Sequence, residues 1–538
     1  MLLRPVHEVA DELGLAGSEI IPYGQAAKIP LEAIRPPRGK LVAVSAITPT
    51  PAGEGKTTVS ISLGMALRQR GVRTAVCLRE PSLGPIFGIK GGGTGGGKAT
   101  LEPSTTINLH FTGDLHAIGS AHNLLAALTD NDLHFRGETM LDPARVTWPR
   151  VVDMNDRSLR NIVVGLHGEG VPRETRFDIT AASEVMAALC LAEGYDDLTQ
   201  RLGRIVIGAR RDGSFVTAGD LGAPAAMTAL LRDALMPNLV RTAEGGPAIV
   251  HGGPFANLSH GCSSVLGTRL GLGYADVVVT EGGFGFDLGG EKLLDLKCRS
   301  AGLWPHVVVL VATLKALRMH GGAAVADASK PDPERLRAGL VNLDAHLDSV
   351  ARFGIPAVVA INRFGNDPDD ELAILREHVE ARGVPVGLSD GFAKGGEGAL
   401  PLADVVMGAL EKPATTPTFS YPLESTIEEK LQALTTKVYG GKDVALSAAA
   451  KKTARELEAA GYGQLPICVA KTHRSLSDDP RLQGRPQGFT LNIASLRLLA
   501  GAGYITAIAG ELMTMPGLPR VPASTKIRIG ADGEIEGV

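Results

Sequence analysis

The chain has few aromatic residues and no excess of positive charge. Only 4% of its 538 residues are aromatic, and 54 Lys and Arg stand against 58 Asp and Glu, which gives a formal net charge of −4. A chain with this balance lacks the basic field that holds nucleic acid or an anionic membrane. We therefore expect small-molecule partners, with no nucleic acid and no membrane among them.

Cysteine clusters and long apolar runs are also missing from the sequence. The five cysteines are dispersed without C-x-x-C spacing, which argues against a zinc site and against disulfides. The longest apolar runs, such as residues 306–312, have strand length and are too short to span a bilayer. Residues 1–15 carry acidic residues at helical spacing and lack the apolar segment of a signal peptide. We expect a cytoplasmic protein.

What the sequence does contain is a repeated alternation of short β-branched runs with helical patterns. The runs lie at residues 41–47, 74–78, 204–208, 247–251, 276–280, 306–312 and 356–361. Continuous apolar strands of this kind are buried on both faces. The pattern predicts an α/β fold of P-loop type, with a mostly parallel sheet, helices on both faces and additional smaller α/β domains. Ligands are then expected beyond the carboxyl ends of the strands.

A change of composition suggests where the chain divides. Residues 411–422 form a Pro- and Thr-rich stretch that is typical of a linker, and helical patterns follow near residues 425–439 and 446–460. A polar, proline-bearing stretch at residues 129–149 suggests a second boundary. We predict units at 1–140, 141–412 and 413–538, in which the first carries the start of a nucleotide-binding domain.

The most informative motif follows the first of these apolar runs directly. It comprises Thr50, Pro51, Ala52, Gly53, Glu54, Gly55, Lys56, Thr57 and Thr58. Strand, glycine-rich turn and helix start together form a phosphate loop, in which backbone N–H groups face a polyphosphate. Lys56 then supplies charge and Thr57 a Mg²⁺ ligand. Thr50 replaces the first glycine of the usual pattern, and the alternative is a glycine-rich turn that binds nothing.

A second glycine-rich segment, residues 79–97, begins with Arg79 at a strand end. The fixed fork of an arginine suits a carboxylate or a phosphate. The alternative for the glycines is a flexible lid or close packing. Next along the chain, His110, Asp114 and His116 are candidates for a role near the phosphates, and Asp114 is the favoured one.

Eight segments in chain order carry a specific resemblance to a known family. They are residues 50–58, 78–85, 108–114, 151–157, 177–186, 251–257, 465–471 and 513–519. With them the chain resembles formate–tetrahydrofolate ligase, also called formyltetrahydrofolate synthetase, in its monofunctional bacterial form. The similarity runs through nearly the whole chain.

The resemblance implies an activity and a set of cofactors. ATP would convert formate to formyl phosphate, and the N10 amine of tetrahydrofolate would attack it. The family also implies a homotetramer, Mg²⁺ and activation by a monovalent cation, K⁺ or NH₄⁺. Lys56 and Arg79 are the expected catalytic residues because phosphoryl transfer needs positioning and charge neutralisation. The resemblance further implies that Arg79 holds the formyl phosphate, that Thr57 contacts the metal, and that Asp114 orients or deprotonates.

The folate site is expected at two aromatic residues that follow predicted strand ends, Phe364 and Phe392. Two aromatic faces can hold a flat heterocycle between them. The family has Trp where Phe392 stands, and it usually has Tyr where Lys98 stands. Without the resemblance, a core position is the alternative for each phenyl ring.

Two other functions use the same motifs. One is a P-loop ATPase of the partitioning or metallochaperone type, in which hydrolysis drives a conformational switch. The other is a catalytically silent folate-binding or scaffold relative. Intact Lys56, Thr57 and Arg79 argue against the silent relative.

Overall fold

Helices and strands alternate along most of the chain in the computed structural model, which describes residues 3–51, 53–88, 92–510 and 513–538. The helices are α1 (Val6–Leu13), α2 (Lys56–Gln69), α3 (Leu83–Gly88), α4 (Ser104–Asn108), α5 (Asp114–Phe135), α6 (Glu184–Leu191), α7 (Tyr195–Arg204), α8 (Pro224–Leu231), α9 (Val265–Tyr274), α10 (Arg299–Ala301), α11 (Leu314–His320), α12 (Pro333–Arg352), α13 (Asp369–Ala381), α14 (Gly391–Lys394), α15 (Leu400–Leu410), α16 (Ile427–Leu434) and α17 (Ala448–Ala459).

The strands of the same ranges fall into one large sheet and several small ones. They are β1 (Ile21–Tyr23), β2 (Ala26–Lys28), β3 (Lys40–Ala46), β4 (Thr74–Leu78), β5 (Gly95–Gly96), β6 (Ala99–Glu102), β7 (Arg150–Val152), β8 (Ile162–Val164), β9 (Arg173–Thr175), β10 (Phe177–Ile179), β11 (Val206–Ala209), β12 (Phe215–Thr217), β13 (Asn238–Thr242), β14 (Pro247–Val250), β15 (Val277–Glu281), β16 (Val307–Ala312), β17 (Ala357–Asn362), β18 (Val386–Ser389), β19 (Asp443–Leu446), β20 (Ile467–Ala470), β21 (Thr490–Leu499), β22 (Tyr504–Ala509), β23 (Arg528–Ile529) and β24 (Ile535–Glu536).

The large sheet has 12 strands in the order β1-β2-β13-β14-β4-β15-β3-β16-β17-β18, with β5 and β6 attached through β13. The strands from β14 to β18 in this order are all parallel to one another. The strands at the β1 side pair antiparallel. The predicted α/β fold with a mostly parallel sheet is therefore confirmed.

Helices cover both faces of this sheet. Val42 and Val44 of β3 face a layer that contains α2 and α15, whereas Leu41 and Ala43 face a layer that contains α9, α11 and α12. Alternate residues of a strand point to opposite faces, and both sets are buried. A side-chain carbon at Gly64 of α2 would lie 2.3 Å from Val76 Cγ2 of β4. Glycine there allows α2 to lie directly on the sheet.

One of the predicted strands is placed differently from the others. The run at residues 204–208 forms β11, which pairs antiparallel with β12 in a separate hairpin. The other six runs form β3, β4, β14, β15, β16 and β17 of the large sheet. A short apolar run indicates that a strand is buried, but it does not show which strand it pairs with. The sequence pattern alone therefore did not distinguish this hairpin from the parallel strands.

A second sheet, ordered β19-β21-β22-β20, lies wholly after residue 412. It packs with α16 and α17 around its own apolar core, and these helices confirm the patterns predicted near residues 425–439 and 446–460. The large sheet takes strands from both sides of residue 140. The division into units at 1–140, 141–412 and 413–538 stays a prediction. None of the helices in the described ranges combines the length and the apolar character that a membrane span requires.

Candidate active site

The predicted phosphate loop lies between the buried strand β3 and the helix α2. Gly53 and Gly55 adopt left-handed conformations, with φ of 79° and 71°, and Gly55 immediately precedes the helix. A side-chain carbon at Gly55 would lie 2.5 Å from Asn362 Nδ2. Glycine is therefore required there both by the backbone and by space. The strand, turn and helix order is confirmed, and it places the N-terminus of α2 where an anion binds favourably.

The loop is held in shape by protein contacts. The carboxylate of Glu54 accepts a hydrogen bond from the Thr50 backbone N–H at 2.6 Å and another from the Thr313 hydroxyl. Asn362 Nδ2 donates to the Glu54 carbonyl at 2.9 Å. Glu54 is 2% exposed, so its side chain faces the protein interior and any ligand contact would come from its backbone. Ala52 lies outside the described residues.

Three side chains meet where β3, β15 and β4 end side by side. The Thr57 hydroxyl, in the first turn of α2, lies 3.2 and 3.1 Å from the two carboxylate oxygens of Glu281 at the end of β15. Arg79 Nη2, just after β4, lies 4.0 Å from Glu281 Oε1. Arg79 Nη1 donates to the Pro254 carbonyl at 3.1 Å, which fixes the guanidinium. Lys56 is the first residue of α2, so Lys56, Thr57 and Arg79 lie at one edge of the sheet as the sequence predicted.

The sequence alone predicted no role for Glu281. It ends β15, which pairs with both β3 and β4. The loop that follows that strand begins with Gly282 and Gly283 and lies beyond a strand end, where ligands are expected. Only the strand order shows that this loop opens between the phosphate loop and Arg79.

Asp114 lies in a buried polar cluster. Its carboxylate accepts hydrogen bonds from Lys28 Nζ and from Asn238 Nδ2, each at 2.8 Å. Asn238 Oδ1 accepts in turn from Lys28 at 3.0 Å and from the Thr112 hydroxyl at 3.0 Å. Asp114 is 2% exposed, and removing one partner of such a pair costs about 3–5 kcal/mol. Its catalytic role stays a prediction, and variants of Asp114 have to be assessed for stability as well as for activity.

Next to this cluster lies a cavity of about 400 Å³, lined among others by Glu80, His110, His116 and Asp153. Burial raises the pKa of Glu80 well above its usual range, and the charge of Asp114 raises it further while Lys28 lowers it. Burial also raises the pKa of Asp153, although Ser82 donates a hydrogen bond to it at 2.6 Å. The two carboxyl groups therefore favour the protonated form more than free side chains do.

The two phenyl rings expected at a folate site are exposed. Phe364 is 46% and Phe392 60% exposed, which excludes the alternative that either is a core residue. β17 and β18 are paired in parallel, with Asn362 opposite Ser389, so both rings follow strands that end at the same edge. The Phe392 carbonyl accepts from the Lys98 N–H at 2.9 Å.

Two glycines allow the second glycine-rich segment to approach Phe392 closely. A side-chain carbon at Gly96 would lie 3.1 Å from Phe392 Cε2, and one at Gly97 would lie 2.0 Å from the Phe392 carbonyl oxygen. Close packing, one of the two alternatives for this segment, therefore accounts for glycine at both positions. A side chain at either one would crowd Phe392. Residues 89–91 of the segment lie outside the described ranges.

Comparison with known proteins decides the family. The family model described as formate–tetrahydrofolate ligase matches residues 1–538. The formate–tetrahydrofolate ligase of Myxococcus xanthus is 56% identical, with 100% of this chain and 99% of the relative aligned. Proteins of the same name from Paracoccus denitrificans and a Nocardioides species are each 52% identical over 99% and 100% of this chain. The chain belongs to the formate–tetrahydrofolate ligase family.

The donors at the strand ends are of the kind that Mg²⁺ takes at nucleotide sites. The hydroxyl of Thr57 and the carboxylate of Glu281 are hard oxygen ligands at mutual distances of 3.1 and 3.2 Å. Mg²⁺ at nucleotide sites takes one or two protein ligands and completes its shell with phosphate oxygens and water. No group of three or more His, Cys, Asp or Glu side chains suited to a metal occurs in the described part of the chain. Both observations agree with a site in which the protein and a nucleotide together supply the ligands of Mg²⁺.

Proposed function

We propose that the chain ligates formate to tetrahydrofolate at the expense of ATP, giving 10-formyltetrahydrofolate, ADP and phosphate through formyl phosphate. The observation that carries the proposal is the meeting of Thr57, Arg79 and Glu281 at the ends of three neighbouring strands. The family match over residues 1–538 supports the substrates. The exposed rings of Phe364 and Phe392 at the same edge of the sheet support a flat second substrate.

The chemistry requires activation of formate. Hydroxide is a poor leaving group, so a formate oxygen first attacks the γ-phosphorus of ATP, and the bond from that phosphorus to ADP breaks. The N10 amine then attacks the formyl carbon, phosphate leaves with the carbon–oxygen bond electrons, and the amine loses its proton. Both steps are helped mainly by orientation and by neutralisation of phosphate charge.

The residues at the strand ends have separate roles in this scheme. Backbone N–H groups of the phosphate loop and Lys56 hold the β- and γ-phosphates. Arg79 donates to the formate carboxylate and then to the formyl phosphate, since its fork fits planar anions. Thr57 and Glu281 would hold Mg²⁺, which would neutralise phosphate charge and so reduce the repulsion between the nucleotide and formate.

The intermediate is tested with formate labelled with ¹⁸O in both oxygens. A route through formyl phosphate moves one formate oxygen into inorganic phosphate, so the released phosphate should carry one ¹⁸O atom. Unlabelled phosphate, formed together with formylated folate, would contradict formyl phosphate as the intermediate but not the overall ligation.

Glu281→Gln should raise the Mg²⁺ concentration needed for half-maximal ligation by about 10–100-fold, the range found when the support of a metal site is lost. The amide keeps the shape of the side chain and removes its charge. Mg²⁺ titration at saturating ATP measures this, with Glu456→Gln as a matched change on the exposed surface of α17. An unchanged Mg²⁺ requirement in the Glu281 variant would remove Glu281 from the metal site.

Phe392→Ala should raise the Michaelis constant for tetrahydrofolate by roughly tenfold or more, and hardly change that for ATP. Stacking on an aromatic side chain is worth about 1–3 kcal/mol per base by analogy with nucleobases, and tenfold corresponds to about 1.4 kcal/mol. Phe392→Trp should be tolerated or bind folate more tightly. If Phe392→Ala weakens ATP and spares folate, the ring stacks on adenine instead.

We also propose a cytoplasmic homotetramer that a monovalent cation, K⁺ or NH₄⁺, activates. Family membership supports these properties.

A further inference from the structure

Residues 471–488 form most of the connection from β20 to β21, and none of them lies in a helix or a strand. We call them the clamp segment. They belong to the C-terminal part of the chain, yet several of their contacts are with α11, α12 and the loop that follows β15. That loop follows Glu281, and side chains of α11 and α12 also bind Thr48 just before the phosphate loop.

The first contact of the clamp segment is with α11 and α12, whose side chains also bind Thr48 just before the phosphate loop. Asn342 Oδ1 accepts from the Thr48 N–H at 3.2 Å, and Asn342 Nδ2 donates to the Thr48 hydroxyl at 3.1 Å. His320 Nε2 donates to the Thr48 carbonyl at 2.8 Å, and His346 Nε2 lies 3.0 Å from the hydroxyl. The backbone and side-chain polar atoms of Thr48 are thus all in hydrogen-bond contact with α11 or α12.

Two of these three side chains also bind the clamp segment at Gly484. Asn342 Nδ2 donates to the Gly484 carbonyl at 2.7 Å, and His320 Nδ1 accepts from the Gly484 N–H at 3.2 Å. Thr48, Asn342 and His320 are at most 5% exposed, and Gly484 is buried. Because a carbonyl faces Nε2 and an N–H faces Nδ1, His320 is fixed as the neutral form with its proton on Nε2.

The second contact is made beyond Glu281, in the loop that follows β15. The Phe284 ring stacks on His473, with centroids 4.5 Å apart and planes at 18°. Lys471 Nζ lies 2.6 Å from Asp287 Oδ2, and both side chains are at most 2% exposed. Phe284 has φ of 58°, a conformation that a bulky residue adopts only when its surroundings enforce it. The stack on His473 is one such constraint.

We propose that the clamp segment positions the nucleotide site, with His320 and Asn342 as positioning residues for the phosphate loop and His473 for the Glu281 loop. The inference rests on the proposed function, because it assigns these contacts to ATP use. A buried, fully bonded amide and imidazole between two backbone segments transmit the position of one segment to the other. The C-terminal part of the chain then contributes to nucleotide binding without touching the nucleotide.

Substitutions at His320 test the contact at Thr48. His320→Leu removes the donor and the acceptor, and should raise the Michaelis constant for ATP about tenfold while that for tetrahydrofolate stays within about twofold. His320→Gln supplies one donor and one acceptor and should restore most of the ATP affinity. Arg481→Gln is the control, because Arg481 lies in the clamp segment with its side chain 87% exposed and bonded to Asp479. Equal ATP affinity in wild type and His320→Leu would overturn the proposal.

A measurement on the unaltered protein keeps the proposal testable if His320→Leu does not fold. Coupling between two sites is reciprocal, so Mg²⁺-ADP should slow hydrogen exchange in peptides of residues 471–488 severalfold as well as in the phosphate loop. If Mg²⁺-ADP slows hydrogen exchange in the phosphate loop but not in residues 471–488, the role of the clamp segment is contradicted and the proposed function is not. Failure to bind ADP at all would overturn both.

Discussion

Lys56→Ala will lower the rate of ligation by about a thousandfold or more, while the protein stays folded. Lys56 begins α2 beside Thr57 and is only partly buried, so we expect the fold to tolerate its loss, while the proposed function assigns its ammonium group to phosphate charge. A thousandfold loss corresponds to about 4 kcal/mol of transition-state stabilisation, a size expected for a cation on the transferred phosphoryl group. The measurement is formation of formylated folate at saturating substrates.

Lys452→Ala is the matched control for this variant. Lys452 lies on α17 with 78% of its side chain exposed, 3.8 Å from Glu456, so its loss should leave the rate unchanged. Circular dichroism and thermal unfolding check that the Lys56 variant keeps its fold. Ligation near the wild-type rate in Lys56→Ala would show that the loop does not hold the phosphates.

Arg79→Lys will lower kcat/KM for formate by about 10²–10³-fold, equivalent to ~2.7–4 kcal/mol. Lysine keeps the positive charge near Glu281, but an ammonium group cannot make the two parallel hydrogen bonds that a small planar anion accepts. The anchoring bond to the Pro254 carbonyl is also lost or competes with formate. The measurement is the formate dependence of ADP production.

Arg70→Lys is the control for the Arg79 substitution. Arg70 is 40% exposed and pairs with Asp404 at 2.6 Å on the outer surface, so the same change there should leave the formate dependence as it is. If Arg79→Lys keeps both its maximal rate and its formate affinity, Arg79 does not contact formate. The Michaelis constant of Arg79→Lys for ATP distinguishes general damage to the site from a specific loss of formate binding. It should stay unchanged if only formate binding is affected.

The parts of the fold that could be predicted from sequence are those that local pattern determines. The run before the phosphate loop, the glycines at Gly53 and Gly55 and the helix after them needed only apolar periodicity and turn chemistry. The same reasoning placed Arg79 at a strand end. It did not identify β11 as part of a hairpin, because a short apolar run looks the same in a parallel sheet and in a hairpin.

The contacts that complete the site join residues far apart in sequence. Thr57 and Glu281 are separated by 224 residues, and Lys28 and Asp114 by 86. Asn342 reaches Thr48 across 294 residues. No periodicity or motif encodes such pairs, and they follow only once strand order sets β15 between β3 and β4. The sequence therefore predicted the strand, turn and helix of the phosphate loop better than the partners that orient it.

The decisive measurement follows ADP and formylated folate together, while ATP, formate and tetrahydrofolate are omitted one at a time. The proposed function predicts one ADP for each formylated folate in the complete mixture, and no product when any of the three is missing. ADP release at the same rate without formate and tetrahydrofolate would contradict the account and indicate a P-loop ATPase of the switch type. Folate binding without any ADP or product would contradict it equally and indicate a silent relative.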